Sequence, residues 1–257
     1  MSTPFWNILT VSAHLSSFVP EPDLISRELA ARSHIEQRIA FIARAVAGRI
    51  AFSTSLGIED QAVLHAIATS GAPFDVFTLD TGRHFPETLD TIESTERRYG
   101  LRIRVIAPAS EQLEALVARD GINGFRLGLE ARKACCDVRK VKPLQRALAG
   151  AAAWLTGLRR EQSSDRLAIS FAEFDAGIGL LKLNPLADWS LDRLEAYAAA
   201  HDIPTNPLHA RGYPSIGCQP CTRAIRPGED VRAGRWWWES EEGKECGLHN
   251  RSIAEGS

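Results

Sequence analysis

The chain has 257 residues, of which 44% are hydrophobic and 24% are charged. These proportions are ordinary for a globular protein, and the length allows one α/β domain with a well-buried core. The formal net charge is −2, so no overall field attracts nucleic acid or an acidic membrane, and we expect neither partner. Any bound anion must therefore be held by a local cluster of basic groups.

Residues 1–22 are predicted to form an irregular N-terminal segment. They have no basic start, and polar residues interrupt their apolar stretch, which disfavours a secretion signal. No span of about 18 apolar residues occurs anywhere in the sequence. We therefore expect a cytoplasmic protein that does not enter a membrane.

Residues 23–225 are predicted to form the main domain, which begins with helical spacing over 23–47. The strands expected after it are 49–52, 74–79, 101–106 and 151–156, and the helices expected between them are 58–71, 86–98 and 110–119. A hairpin over 167–183 and a helix over 190–201, capped by Ser190, should follow. This alternation predicts an α/β fold whose mostly parallel central sheet carries helices on both faces.

Three predicted loops follow strands and could share one pocket, because ligands of parallel sheets bind at the carboxyl ends of the strands. They are Ser53–Gly57, Asp80–Gly82 and Thr156–Arg160. In the first, Ser53, Ser55 and Gly57 are candidates for holding a phosphate at a helix start. Helix capping explains this loop equally well. Glu59 and Asp60 are expected to repel a highly charged ligand such as a triphosphate.

Five cysteines, at positions 135, 136, 218, 221 and 246, are informative in a chain expected in the cytoplasm. Their odd number argues against a disulfide framework and for metal binding or thiol chemistry. Cys218 and Cys221 have the spacing that brings two thiolates to one metal centre. With the adjacent Cys135 and Cys136 they predict a four-thiolate site for zinc or an iron–sulfur cluster. A redox pair beside two buried thiols is the alternative.

Basic residues surround both cysteine pairs. Around the first pair they are Arg132, Lys133, Arg139, Lys140, Lys142 and Arg146, and near the second pair they are Arg223, Arg226, Arg232 and Arg235. A four-thiolate site would bring both groups together, where surplus cations could bind a phosphate or sulfate. A solvated helix face is the alternative explanation.

The fifth cysteine, Cys246, lies in a predicted C-terminal tail, residues 226–257, that has little capacity for a core. It is a candidate nucleophile; an exposed thiol without function and an extra metal ligand are the alternatives. The acids that precede it should disfavour its thiolate, and they are Glu239, Glu241, Glu242 and Glu245. We therefore hypothesise that a mobile tail docks on the basic residues when Cys246 reacts.

Taken in order, these motifs resemble the reductases of adenylylsulfate and phosphoadenylylsulfate, and above all the assimilatory adenylylsulfate reductases. The resemblance covers about residues 49–249. The stretches that carry it are Ser53–Asp60, Leu79–Arg83, Pro86–Thr88, Lys133–Lys140, Gly157–Ser163, Cys218–Cys221, Gly234–Glu239 and Glu245–His249.

The resemblance implies an adenine nucleotide alpha-hydrolase-like fold and the thioredoxin-dependent reduction of adenosine 5′-phosphosulfate to sulfite and AMP in sulfate assimilation. The cysteine that matches Cys246 would attack the sulfate sulfur and form an S-sulfocysteine. The two cysteine pairs would hold a 4Fe–4S cluster. A homo-oligomer is compatible with the sequence.

The resemblance also implies residue roles. Lys140, Arg232 and Arg235 match positions around the phosphosulfate, and His249 follows the nucleophile by three residues. The full set of expected substrate-binding residues is Ser53, Ser55, Gly57, Lys140, Arg159, Arg160, Arg232, Arg235 and His249. Trp236–Trp238 is interpreted as packing or a subunit interface. The histidines at 65, 84, 201 and 209 are given no role.

Three other functions stay open at this point. Arg159, Arg160 or Arg166 could accept a 3′-phosphate, which would favour phosphoadenylylsulfate as substrate. A tRNA-thiolating enzyme would need ATP and a basic surface, and the net charge does not favour it. A non-catalytic iron–sulfur sensor would not need Cys246.

Overall fold

The computed structural model describes residues 21–163, 166–239 and 247–248. The strands of these residues form one sheet, and they are β1 (Ile50–Ser53), β2 (Asp75–Leu79), β3 (Arg104–Ile106), β4 (Ala153–Leu155), β5 (Ala172–Asp175) and β6 (Leu180–Leu183). Their order is β3-β2-β1-β4-β6-β5. Neighbouring strands are parallel except for the pair β5 and β6, which is antiparallel. The predicted α/β fold with a mostly parallel sheet is confirmed.

Helices cover both faces of this sheet. They are α1 (Pro22–Ala30), α2 (Ile35–Ala45), α3 (Ile58–Ser70), α4 (Pro86–Tyr99), α5 (Ser110–Asp120), α6 (Leu129–Cys136), α7 (Lys142–Leu148) and α8 (Leu191–Ala200), with a π-helical turn over Asp137–Val141. Side chains alternate along β1, so Ile50 and Phe52 belong to one apolar cluster and Ala51 belongs to another. In the described part of the chain no helix is long and apolar enough to cross a membrane.

The helical spacing predicted over 23–47 is confirmed, but it is divided between two separate helices, α1 and α2. The guanidinium of Arg38 explains the break: its Nε donates to the carbonyls of Leu29 and Arg32, at 3.0 and 2.8 Å. These groups lie at the end of α1, where carbonyls lack partners within the helix. A buried cation therefore fixes the turn between the two helices.

Residues 129–148 form α6, the π turn and α7 in succession, which the sequence did not predict. Arg132 and Arg139 are buried here, with exposed fractions of 0% and 5%, so the apolar period expected of a helix is interrupted. The π turn begins directly after Cys136 and contains Lys140. Such turns are frequent at functional sites.

The predicted hairpin and the helix after it are confirmed. Strands β5 and β6 pair from Ala172 opposite Leu183 to Asp175 opposite Leu180. The hydroxyl of Ser190 accepts a hydrogen bond from the backbone N–H of Arg193 at 3.2 Å and caps α8.

Candidate active site

Two adjoining chambers open where the parallel strands end, and we call them together the sheet-edge cavity. Both are lined by Ser53, Ser55, Lys140, Ile216 and Leu248. The residues that line only the inner chamber include Leu79, Thr81, His84 and Trp154, and those that line only the outer chamber include Gly57, Thr156, Arg159, Arg232 and Arg235. The loops that follow β1, β2 and β4 therefore meet at this cavity.

Trp154 forms part of the inner chamber, and sequence reasoning missed it. Its indole N–H donates to the hydroxyl of Ser53 at 2.8 Å. The ammonium of the buried Lys182 lies 5.1 Å from the centre of the Trp154 ring. Trp154 therefore fixes the orientation of the Ser53 hydroxyl. The two residues are far apart in the sequence and meet because β1 pairs with β4.

His84 also lines the inner chamber, although no role was predicted for it. Its Nε2 lies 2.8 Å from the carbonyl oxygen of Leu79. Burial is the main reason that the pKa of His84 is lowered. His209 is a second missed residue and lines the outer chamber.

The two acids expected to repel a highly charged ligand, Glu59 and Asp60, both bond to residues that line the outer chamber. Asp60 Oδ2 accepts hydrogen bonds from the backbone N–H and the hydroxyl of Ser55, each at 2.6 Å. Glu59 accepts a bond from the guanidinium of Arg159 at 3.0 Å. Hydrogen bonds to Asp60 therefore hold Ser55 of the loop after β1 in place.

Burial raises the pKa of Asp60 to about 6, against the lowering effect of its hydrogen bonds with Ser55. The ordinary value is 3.8, so between these two pH values the folded state keeps a proton that the unfolded state has lost. The free energy of unfolding therefore falls as the pH rises through this window, and it stays lower above it.

Asp60→Asn is expected to remove this contribution. The stability of the variant relative to the parent should rise by on the order of 2–3 kcal/mol between about pH 4 and about pH 7. Urea unfolding of both proteins at matched pH values measures this difference, with the exposed Asp23→Asn as control. A difference that does not change with pH would contradict the assignment.

Arg159 and Arg160, which are adjacent in the loop after β4, differ in their position relative to the sheet-edge cavity. Arg159 lines the outer chamber, but it is only 4% exposed and also donates to the carbonyl of Trp189 at 3.1 Å. Arg160 is not among the described residues that line the cavity. Its Nε donates to the carbonyl of Ile169 at 2.8 Å.

Lys140, Arg232 and Arg235, expected around an anion, all line the outer chamber. The guanidinium of Arg235 packs on the side chain of Trp236, 4.7 Å from the centre of its ring. A Cβ at Gly217 would lie 2.2 Å from the Arg235 guanidinium, so a larger residue there would force this guanidinium to move. The structure thus brings these three predicted cations to one chamber.

All four cysteines of the two predicted pairs line a second cavity, the cysteine cavity, and none is in a disulfide. Lys140 and Arg235 line this cavity as well as the sheet-edge cavity. Cys218 donates to the hydroxyl of Thr81 at 3.3 Å. The two cavities therefore share a wall of cations.

The thiols influence one another through their charges. Burial, followed by the charges of Cys218 and Cys136, raises the pKa of Cys221 to about 12. Burial raises the pKa of Cys135 as well. Burial also acts to raise the pKa of Cys218, but Lys140 and the Thr81 hydrogen bond outweigh it, and the pKa is lowered. Binding of a metal would favour the thiolates of Cys135 and Cys221, because metal ligands must be deprotonated.

The donors around the cysteine cavity fit an anionic group that is rich in sulfur. Among the described residues, Arg139 Nε and Trp236 Nε1 are buried without a hydrogen-bond acceptor, and both residues line this cavity. No three His, Cys, Asp or Glu side chains in that part of the chain are placed to hold a metal ion.

The basic residues predicted around Cys135 do not form one continuous wall. Arg132, Arg139 and Lys140 line the cysteine cavity. The other three bond to groups nearby: Lys133 to Glu130 at 3.1 Å, Lys142 to Asp137 at 3.2 Å, and Arg146 to the carbonyl of Ala107. Arg83, which the sequence did not single out, also lines the cavity.

Cys246 and His249 lie outside the described residues. Leu248, which follows Cys246 by two positions in the sequence, lines both chambers and packs on the apolar cluster of α7. Glu239, one of the acids expected to disfavour the Cys246 thiolate, forms an ion pair with Arg132 at 3.0 Å. That acid is therefore neutralised within the protein.

Comparison with known proteins decides the family. The model of the phosphoadenosine phosphosulfate reductase domain matches residues 49–224. The chain belongs to this reductase family. An adenosine 5′-phosphosulfate reductase of Agrobacterium fabrum is 58% identical over 212 residues, which are 82% of this chain and 81% of that protein. Another, of Allochromatium vinosum, is 56% identical over 205 residues, which are 80% of each chain.

A solved structure of the family shows the same fold. It is a phosphoadenylyl-sulfate reductase from Candida auris in a phosphate complex, 24% identical to this chain, with a TM-score of 0.68. The alignment covers 81% of this chain and 100% of that chain. The predicted family membership and the predicted adenine nucleotide alpha-hydrolase-like fold are therefore confirmed.

Proposed function

We propose that this chain is an oxidoreductase of sulfur groups that reduces adenosine 5′-phosphosulfate to sulfite and AMP. The observation that carries the proposal is the common wall of the two cavities. Lys140 and Arg235 line both the sheet-edge cavity, where a nucleotide would bind, and the cysteine cavity. The relatives named adenosine 5′-phosphosulfate reductase support the same substrate.

The outer chamber suits a phosphosulfate. Lys140, Arg232 and Arg235 can neutralise the sulfate oxygens and the phosphate of the departing AMP, and such fixed cations stabilise charge that develops in a transition state. The hydroxyls of Ser53 and Ser55 line both chambers. His249 is proposed as a further substrate contact on the family resemblance alone.

Cys246 is proposed as the nucleophile. Its thiolate attacks the sulfate sulfur, an S–S bond forms, and the bond from sulfur to the bridging oxygen breaks, so that AMP leaves with that oxygen. A dithiol partner, which we propose to be cytoplasmic thioredoxin, then attacks Cys246 Sγ and releases sulfite. Its second thiol resolves the mixed disulfide, so the two electrons come from the dithiol. The position of Leu248 in both chambers supports a tail that reaches the substrate.

Cys135, Cys136, Cys218 and Cys221 are proposed to hold a 4Fe–4S cluster. When bound, the cluster would supply a fixed charged group beside the cations of the shared wall, and the electrons that reduce the sulfate group would still come from the dithiol. The buried donors of the cysteine cavity support an anionic occupant.

The arginines that could have accepted a 3′-phosphate are engaged within the protein, which favours the unphosphorylated ribose. Arg159 bonds to Glu59, Arg160 to the carbonyl of Ile169, and Arg166 to the side-chain oxygen of Gln162 at 2.5 Å. Each of these bonds uses part of a guanidinium that a 3′-phosphate would otherwise bind. We therefore propose preference for adenosine 5′-phosphosulfate over its 3′-phosphorylated form.

Anaerobically purified protein tests the proposal. We expect about four irons and about four sulfides per chain. After addition of adenosine 5′-phosphosulfate, mass spectrometry should find an SO₃ adduct on the peptide that contains Cys246, and reduced thioredoxin should release it as sulfite. Faster turnover of the 3′-phosphorylated nucleotide, or an adduct on another residue, would contradict the proposal.

A further inference from the structure

The carboxylate of Asp60 occupies the anion position of the loop after β1. That loop leads into the N-terminus of α3, and N–H groups in such a place bind phosphate in many proteins. Here the N–H of Ser55 donates to Asp60 at 2.6 Å. The next two N–H groups, of Leu56 and Gly57, donate to Thr54 Oγ1 and Ser55 Oγ at 3.0 and 3.4 Å. Three consecutive donors are therefore used within the chain.

The same carboxylate also faces the loop after β4. A Cβ at Gly157 would lie 2.2 Å from Asp60 Oδ1, so this loop lies directly against the second oxygen of Asp60. The backbone of Gly157 hydrogen-bonds to the carboxylate, which is 9% exposed. One buried acid thus joins two loops that both line the outer chamber.

We propose that Asp60 is a specificity-determining residue that keeps pyrophosphate and nucleoside polyphosphates out of the sheet-edge cavity by filling the anion position of its loop. A polyphosphate would have to displace this carboxylate from Ser55 or lie beside its negative charge. A phosphosulfate carries one charge on each of its two groups and can be held by Lys140, Arg232 and Arg235 instead. The inference rests on the proposed nucleotide-binding function of this cavity.

Calorimetric titration of the anaerobically purified protein with inorganic pyrophosphate and with AMP tests the proposal without requiring turnover. Two variants, Asp60→Asn and Asp60→Ser, remove the charge, and the second also opens space at Ser55. In both we expect pyrophosphate to bind at least about tenfold more tightly, a change of about 1.4 kcal/mol. The affinity for AMP should rise by a smaller factor, because its single phosphate carries less charge than pyrophosphate.

The matched control is Glu195→Gln. Glu195 is an exposed acid that lines the same chamber, and its substitution removes the same charge without touching the loop. Equal gains for Glu195→Gln and Asp60→Asn would overturn the proposal, since a general charge effect would then suffice. Unchanged pyrophosphate affinity in both Asp60 variants, or parallel weakening of both ligands, would also overturn it. Failure of the parent protein to bind AMP would instead contradict the proposed function.

Discussion

Replacing Cys246 by serine is expected to abolish sulfite release while leaving nucleotide binding nearly unchanged. The turnover number should fall by at least about 10³-fold, because a serine hydroxyl is a poor nucleophile unless a base activates it. The affinity for AMP should change less than about threefold, since the cations and loops of the sheet-edge cavity stay in place. A loss in turnover with little loss in binding is the signature of a group that acts on the reacting atom.

A substitution in the same tail provides the control. Ser252 lies six positions beyond Cys246 in the sequence, and the Ser252→Ala variant should retain turnover. Steady-state sulfite release and AMP titration are measured for both variants and for the parent protein. If Cys246→Ser releases sulfite at the parent rate, the nucleophile is another residue.

The alternation of strands and helices could be predicted because its signals are local. Each of β1, β2 and β4 is a short apolar stretch followed by a loop of small and polar residues, and α3 and α4 begin and end close to the predicted positions. Since parallel strands end at one edge of a sheet, the meeting of the loops at one cavity followed from this pattern alone.

The elements that could not be predicted depend on buried charges. Arg38, Arg132 and Arg139 are each at most 5% exposed, and polar residues are assigned to the surface when periodicity is read from a sequence. Arg38 separates α1 from α2, and the other two interrupt the apolar pattern of α6 and the π turn. Carboxylates distant in the sequence compensate two of these buried charges: Asp188 bonds to Arg38, and Glu239 bonds to Arg132.

The candidate site divides in the same way. The cysteine spacing and the nearby basic residues predicted that the four cysteines would lie together beside cations. The roles of Trp154 and Asp60 could not be predicted, because they depend on contacts between different strands and loops. The sequence predicted that Glu59 and Asp60 would repel a highly charged ligand, but it could not show which groups their carboxylates contact. Each turned out to bond to a residue of the site, Arg159 or Ser55, and a charge count cannot show this.

Replacing Arg132 by methionine is expected to destabilise the protein strongly. Arg132 is 0% exposed, donates to Glu239 with two N···O distances of 3.0 Å, and lies 4.4 Å from the centre of the Trp236 ring. The substitution leaves the carboxylate of Glu239, whose side chain is only 10% exposed, without its cation. Breaking a buried pair in this way costs about 3–5 kcal/mol. Urea unfolding at equal iron content, followed by tryptophan fluorescence, measures the loss.

A surface pair in the same chain separates burial from charge. Arg97 and Glu93 are 72% and 74% exposed and lie 2.5 Å apart at helical spacing, so Arg97→Met should cost only about 0.3–0.5 kcal/mol. In the double variant Arg132→Met with Glu239→Gln, much of the lost stability should return, because the buried charge is gone. If Arg132→Met is as mild as Arg97→Met, Glu239 is not held by this pair. The acid would then again be available to oppose formation of the Cys246 thiolate, seven positions further along the chain.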